Sequence, residues 1–488
     1  MTHASPSALV FLRRTGALAA VVVLAMVTAC APITPPAPAP SEQSTAPPTP
    51  GAWMAPLPNE RDLSTVAGAY PMNLQAPKAS GSWVYMDGAT SFNAAIDKQL
   101  LAELDKYTGG PYQPAVRPAQ TSTPSATELI VRGSLAHAGG TFLIGRLRTA
   151  PPSGRGPVAT AEETVVYDSG TGTTVSSAEL IAPAHHDQLS ALAKASPRIS
   201  DLTPVVFTDL AFDDAGNLTL TVPNVAPPLA DTEFRTVTVP AATVRPWLSG
   251  LGRSVQDAAA LPWQPPTPEP KVLRHINCDI VACAALTYDD GPSQATTPRL
   301  LTMLEQAGVG ATFFTVGGAV NYSPKLVTAE HDAGFSVGNH TWNHPDLRKL
   351  SPGAVVDQIQ RTNTAIKAAT GEESTLMRPP YGGVNQMVRT NVGMPIILWS
   401  VDSQDWLSRD PAKYIPAIMN QVFPGAVILE HDIHATTVDH QPEVIADLQR
   451  AGYNLVTVPQ LFSGIALQPG QVFSCRGHGK DCTPSPGR

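Results

Sequence analysis

Leu286-Thr287-Tyr288-Asp289-Asp290-Gly291-Pro292 is the stretch around which the rest of the chain can be read. The apolar and β-prone residues 284–288 predict a strand, two adjacent carboxylates end it, and Gly291-Pro292 turns the chain away at once. Neighbouring side chains within a strand point to opposite faces, so an Asp-Asp pair inside one would waste a carboxylate. At the end of a strand, running into a loop, both can reach one cleft. The rival reading is a solvated turn, since Asp-Gly-Pro is common turn chemistry. Residues further along decide between the two.

After residue 270 the pattern becomes regular. Strand candidates at 284–288, 311–316, 335–339, 376–378, 396–400, 426–429 and 454–458 alternate with helix candidates at 297–306, 324–332, 352–370, 411–422 and 442–451. Most of these helices begin beside a proline, and three end close to Gly308, Gly334 or Gly371, as helix start and stop rules expect. Such alternation implies parallel strands, and seven of them suit a β/α barrel better than a small open sheet. The unusual polar residues then fall at the carboxyl ends of strands. Asp289-Asp290 follows the first, His340-Thr-Trp-Asn-His344 the third, Arg378-Pro-Pro-Tyr381 the fourth, Asp402-Ser-Gln-Asp-Trp406 the fifth, and His431 the sixth. In a β/α barrel that end is where side chains from several strands converge on an active-site mouth.

Taken together and in order, Thr287-Tyr-Asp-Asp-Gly-Pro292, His340-Thr-x-x-His344-Pro345, Arg378-Pro-Pro-Tyr381, Asp402-x-x-Asp-Trp406 and Leu429-x-His431 resemble the five motifs of the polysaccharide deacetylases with a NodB-homology domain, carbohydrate esterase family 4. The resemblance covers roughly 278–461, with Tyr288 where Phe is commoner. It implies a distorted β/α barrel with fewer than eight regular strands. Two imidazoles and a carboxylate are a common catalytic zinc set that leaves positions open for water and substrate. His340 and His344, at i and i+4, would share one side of a helical turn, and the resemblance makes Asp290 the third ligand of a divalent ion. Zinc leads, with other divalent ions open. Such an ion would polarise the amide carbonyl and ease deprotonation of water.

By the same resemblance Asp289 is the general base and Arg378 its orienting partner. His431 is the candidate general acid, held and tuned by Asp402. The backbone N–H of Tyr381 would meet the developing oxyanion. Trp406 and Leu429 would wall an apolar pocket for the acetyl methyl, with core packing as the rival reading. His434 fits no motif.

The remainder of the 488 residues suggests two domains, and 43% hydrophobic content is enough to bury both. A net charge of −8 argues against a nucleic-acid partner, which would call for a basic patch. Arg13-Arg14, the apolar run 17–27 and small residues before Cys30 form an export signal. It resembles a bacterial lipoprotein signal (1–30), which implies a lipidated Cys30 as membrane anchor. The segment 31–59 is a linker rich in Pro, Ala, Ser and Thr; at ~3 Å per residue its first part would hold the folded region roughly 60 Å from a membrane. An α+β accessory domain is expected over 60–251, with a helix at 92–107 and β-type runs at 127–133, 141–147, 164–167, 205–212, 218–222 and 236–239. It faintly resembles accessory modules ahead of some exported wall deacetylases and in the outer part of certain anti-sigma factors. His185-His186-Asp187 there reads as a solvated pair rather than a metal site. A second Pro-rich linker (252–274), the deacetylase domain (275–466) and a tail (467–488) complete the chain. Four cysteines remain, Cys278, Cys283, Cys475 and Cys482; an even number in an exported protein suggests two disulfides, and local pairing is favoured among the three possibilities.

These readings converge on a metal-dependent hydrolase that removes N-acetyl groups from N-acetylhexosamine units of a wall polymer, with peptidoglycan first. Two alternatives stand beside it: an O-acetyl esterase on an acetylated sugar or xylan, and an inactive wall-binding or signalling lipoprotein.

Overall fold

The computed structural model describes residues 60–117, 128–150, 161–195, 209–222, 235–266, 273–477 and 482. The expected export signal with Cys30 and the Pro-rich segment 31–59 lie outside the described residues, as does part of the 205–212 run. Among the described residues no helix is long and apolar enough to cross a membrane. The fold is mixed α/β.

The first region is built on a six-stranded sheet in sequential order: β1 (Ala69–Gln75), β2 (Ala79–Met86), β3 (Leu129–Gly139), β4 (Phe142–Ala150), β5 (Ala161–Asp168) and β6 (Thr173–Ser176). β2 and β3 run parallel, and the helix Thr90–Thr108 lies between them in the chain. That helix forms because Phe92, Ile96, Leu100 and Leu104 recur on one face, and it stops at Gly109, whose φ of 76° suits a residue without a Cβ. The other face of the sheet packs Ala136, Ile144 and Val166 against a three-stranded sheet, β7 (Leu210–Phe212), β8 (Leu218–Val222) and β9 (Arg235–Val239). The helix Gly250–Ala258 runs through the expected start of the second linker at 252. Ser249 caps it by accepting from Gly252 N, and Val255 is buried in the core, so these residues are folded and not linker.

The second region is organised by β10 (Cys283–Asp289), which is buried along its whole length. It pairs in parallel with β11 (Thr312–Thr315), and β11 with β12 (Ser336–Asn339). The short strands β13 (Ile396–Ile397) and β14 (Val401–Asp402) come next in the chain. On its other side β10 pairs with β15 (Ala426–His431), and β15 with β14; β16 (Asn454–Val456) adds to the start of β10. The expected strand at 376–378 is reduced to Met377, which bridges Asn339 and Ile396. The expected strand at 396–400 is split, because 396–397 face Met377 and β17 (Val472–Phe473) whereas 401–402 face β15. Met377 thus links β12, at one end of the strand path, to the stretch 396–402 that supplies β14 at the other end.

Strand alternation sorts β10 into two faces. Ala284, Leu286 and Tyr288 pack with Leu300, Leu304, Ile418 and Leu448 of the surrounding helices. Cys283 and Ala285 belong to a different cluster, together with Val427, Val456 and residues of the first sheet and its helix, and the same face continues through Thr287 to Asp289. The helices Pro324–Asp332 and Pro352–Thr370 have the bounds their sequence signals predict, each with Pro at its start and the latter with Gly371 at φ 86° as C-cap. Cys278 pairs with Cys283 and Cys475 with Cys482, the local pairing favoured from the sequence.

Candidate active site

Asp290 leaves the end of β10 with φ 77°, a left-handed conformation that costs an L-residue energy and turns its carboxylate away from the strand. Gly291 follows because a side chain there has no room: a Cβ would lie 2.3 Å from the Asp432 carboxylate. Asp290 Oδ1 stands 3.2 Å from His344 Nε2 and 3.5 Å from His340 Nε2. The two histidines do not share a helical turn as their spacing predicted. They sit in a loop that begins after β12, with Thr341 at φ 69° and His344 at φ 60°, and these reversals bring the rings within 5.0 Å of each other. Competing hydrogen bonds hold this shape: Thr341 N donates to Asn339 Oδ1, and Trp342 N to Gln358 Oε1.

His340 Nδ1 lies 2.7 Å from the carbonyl oxygen of Arg378, so that nitrogen carries a proton and Nε2 is left to face Asp290. Two imidazole nitrogens and a carboxylate oxygen gathered within 4.8 Å of one another are a donor set that suits a divalent cation. This is the one such group of three among the described residues, and His185-His186-Asp187 does not form another. Burial pushes the Asp290 pKa up, but the hydrogen bond from His340 and the charges of His340, His431 and His344 outweigh it and hold it down at about 2. His344 is shifted down by burial and by the neighbouring His340.

Asp289, at the last position of β10, is buried beside these groups, with Oδ2 3.7 Å from His340 Nε2. Its Oδ1 accepts from Arg378 Nη1 at 2.7 Å. The guanidinium is fully buried and donates also to Thr287 Oγ1 (2.8 Å), Ile397 O (3.0 Å) and Leu398 O (3.1 Å), while stacking over Phe314 at 4.2 Å. A planar fork meeting four acceptors in fixed directions is a task for arginine and not for lysine. The surface ion pair that would be the ordinary reading of Arg378 does not describe it.

His431 ends β15, in register with Asp289 on the adjacent strand. Here the structure corrects the sequence reading. Asp402 does not hold His431: its carboxylate accepts from Gln404 N at 2.9 Å. The partner is Asp405, which receives His431 Nδ1–H at 2.8 Å and His431 N at 2.9 Å, and also Thr437 Oγ1 and Trp406 N at 2.8 Å. Gln404 adopts φ 59° and reverses the chain after β14, so the second aspartate of the motif, not the first, turns inward beneath the imidazole. Both carboxylates were visible in the sequence; the reversal that selects one was not. Burial lowers the His431 pKa, but the Asp405 hydrogen bond and charge, with Asp289 and Asp290 behind them, raise it to about 9.

Tyr381 also has positive φ (62°), and its ring stands edge-on to His344 with centroids 4.8 Å apart. Its side chain is 55% exposed and that of Trp406 47%, whereas Leu429 is buried. Core packing therefore does not account for Trp406, whereas Leu429 is buried as that reading has it. Asp290, Thr341, His344, Tyr381 and Gln404, five of the six non-glycine residues at positive φ among those described, lie in the loops that carry these motifs.

The polysaccharide deacetylase family matches residues 278–393. A chitooligosaccharide deacetylase of Bradyrhizobium sp. is 34% identical over 194 residues, which cover 36% of this chain and 89% of that protein. The chain belongs to the polysaccharide deacetylase family. Among other members, the peptidoglycan-N-acetylglucosamine deacetylase PgdA of Listeria monocytogenes is 42% identical over 189 residues, 39% of this chain and 40% of the relative. The peptidoglycan-N-acetylmuramic acid deacetylase PdaC of Bacillus subtilis is 43% identical over 177 residues, 36% of this chain and 38% of the relative. The match thus spans about two fifths of the length of these two relatives. The family match covers Asp289, Asp290, His340, His344, Arg378 and Tyr381, whereas Asp405 and His431 lie beyond it.

Proposed function

We propose that this protein is a metal-dependent deacetylase that removes N-acetyl groups from N-acetylhexosamine units of a cell-wall polymer, with peptidoglycan as the substrate. The observation that carries the reading is the convergence of Asp290, His340 and His344, with the Asp289–Arg378 pair on one side and the Asp405–His431 pair on the neighbouring strand end. Relatives named as peptidoglycan deacetylases support the choice of polymer. The strand path, closed through 396–402, fits a distorted β/α barrel over 275–466, preceded by an α+β accessory module whose end we place after the helix Gly250–Ala258. An export signal ending at Cys30 would anchor the protein by lipid on the outer face of the membrane, with the Pro-rich linker reaching into the wall.

Asp290, His340 and His344 would hold the ion, which when bound supplies electrophilic assistance to the amide carbonyl and makes a water easier to deprotonate. Asp289, fixed by Arg378, takes the proton of the attacking water as the new C–O bond forms and the carbonyl electron pair moves onto oxygen. The Tyr381 backbone N–H donates to that oxygen. His431, protonated at both nitrogens, keeps Nδ1–H on Asp405 and gives its Nε2 proton to the departing nitrogen as the C–N bond breaks. Acetate leaves, and the sugar retains a free amine. Tyr381 and Trp406 border the mouth, and Leu429 backs it.

The purified protein is expected to release acetate from peptidoglycan and from N-acetylglucosamine oligomers, in preference to O-acetylated xylan. Asp290→Ala should abolish release and lower the amount of divalent metal that copurifies. Undiminished release by that variant refutes the ligand assignment, and a preference for the ester refutes the amide specificity.

A further inference from the structure

The face of β10 that ends at Asp289 begins inside the first region. Cys278, Ile280, Val281, Cys283 and Ala285 share one buried cluster with Trp83, Tyr85, Phe92, Ile96, Leu100 and Leu104 of the first sheet and its helix. The same cluster includes Val427 of β15, Val456 of β16 and Phe314 of β11, which line the interior of the second region. The first region therefore covers the end of the strands away from the metal-ligand loops, and its apolar side chains continue the column that rises through Thr287 to Asp289.

Polar contacts fasten the edge of this junction. His275, ahead of β10, bonds Asp97 Oδ2 through Nε2 at 2.7 Å, and the other oxygen of Asp97 is taken by the Tyr85 hydroxyl. The Tyr85 and His275 rings meet edge to face at 4.8 Å, and Tyr70 Oη donates to the His275 carbonyl at 3.2 Å. Arg274 stacks on Tyr70 at 4.9 Å while its carbonyl accepts from Gln460 Nε2 at 3.1 Å. Beyond the helix Thr90–Thr108, Val116 approaches the turn at Gly452, where a Cβ would stand 3.6 Å from Val116 Cγ1.

We infer that residues 60–117, with the sheet they belong to, are the fixed floor of the catalytic region, an interaction surface whose partner is the chain's own barrel interior. They are not a separately moving module that recruits substrate to the mouth. An independent module would bury its apolar face within itself and meet its neighbour through a modest polar interface. Here the apolar side chains of both regions form one cluster, so parting the regions would open a core that both of them build.

The test keeps the whole chain. A protease site is introduced between residues 267 and 272, the full-length protein is cleaved there, and the product is examined by size exclusion and calorimetry. The halves should co-elute and unfold in one transition. Asp97→Ala, which leaves Tyr85 and His275 without their shared acceptor, should move that single transition down by roughly 1–4 °C. Separation of the cleaved halves overturns the inference. So does a second transition, or an Asp97→Ala effect confined to one of two transitions. These readouts do not depend on which polymer is deacetylated.

Discussion

Replacing Asp405 by Asn tests the assignment of the acid. Asparagine keeps the shape and can still accept Nδ1–H of His431, so the ring stays in place, but the negative charge is lost. Asp405 is the main reason that the His431 pKa stands at about 9 rather than 6.5, against a burial effect that acts in the opposite direction. A pKa raised from 6.5 to about 9 corresponds to roughly 3–4 kcal/mol favouring the imidazolium. Without the charge the pKa should fall to the ordinary range or below it. At pH 7 the wild-type imidazole is almost entirely protonated, whereas the variant would be mostly neutral and unable to give up a proton. The alkaline limb of kcat for acetate release should therefore move from about 9 to roughly 6.5–7, with kcat lower by on the order of 10²-fold at pH 9 and by only about 2–4-fold at pH 7. The pair also links stability to pH. A histidine with a raised folded pKa contributes its full stabilisation below the unfolded value of 6.5, and the contribution is lost as pH rises through about 9. The wild-type advantage in Tm over the variant should thus shrink across that window. An unchanged alkaline limb, measured from pH 5 to 10 at saturating substrate, would show that another group supplies the proton; an unchanged limb in Asp405→Asn together with a shifted one in Asp402→Asn would reverse the assignment made here.

Arg378→Lys keeps a positive charge but cannot meet Asp289, Thr287, Ile397 and Leu398 at once. We expect a loss of about 3 kcal/mol, read as a Tm lower by roughly 3–5 °C, and a fall in kcat with little change in KM; a thermally neutral Lys variant would contradict the buried fork. Glu330, in the helix Pro324–Asp332, is fully buried, with neither carboxylate oxygen bonded to any described residue. Burial and the Asp432 charge push its pKa well up. Because the unfolded chain ionises there and the folded one does not, stability should fall by about 1.4 kcal/mol per pH unit above the unfolded pKa of about 4.3. Glu330→Met should remove that slope and raise Tm at pH 7, and denaturant titrations at pH 5 and 7 that show the same difference between the two proteins would dispose of the idea.

Much of this protein is governed by short-range rules, and those parts were legible in the chain itself. Pro at the first turn and Gly at the C-cap delimit Pro352–Thr370 because both act within a few residues of themselves. The order of strands and helices and the presence of Asp289, Asp290 and His431 at strand ends follow from periodicity and motif spacing, and the local disulfide pairing is the one favoured among three. Tertiary structure alone decided where closure involves distant backbone. The i, i+4 spacing of His340 and His344 suggested a helical turn, yet hydrogen bonds to Asn339 and Gln358 and two left-handed residues make it a loop. Asp402 and Asp405 are equivalent in a linear reading, and only the reversal at Gln404, packed against β15, turns one of them under His431. The strand expected at 376–378 shrank to one bridging residue, and the boundary expected at 252 fell inside a helix. The shared core beneath β10 joins residues nearly two hundred positions apart, and no local pattern marks which apolar side chains will meet when separate segments of one chain close on a common interior.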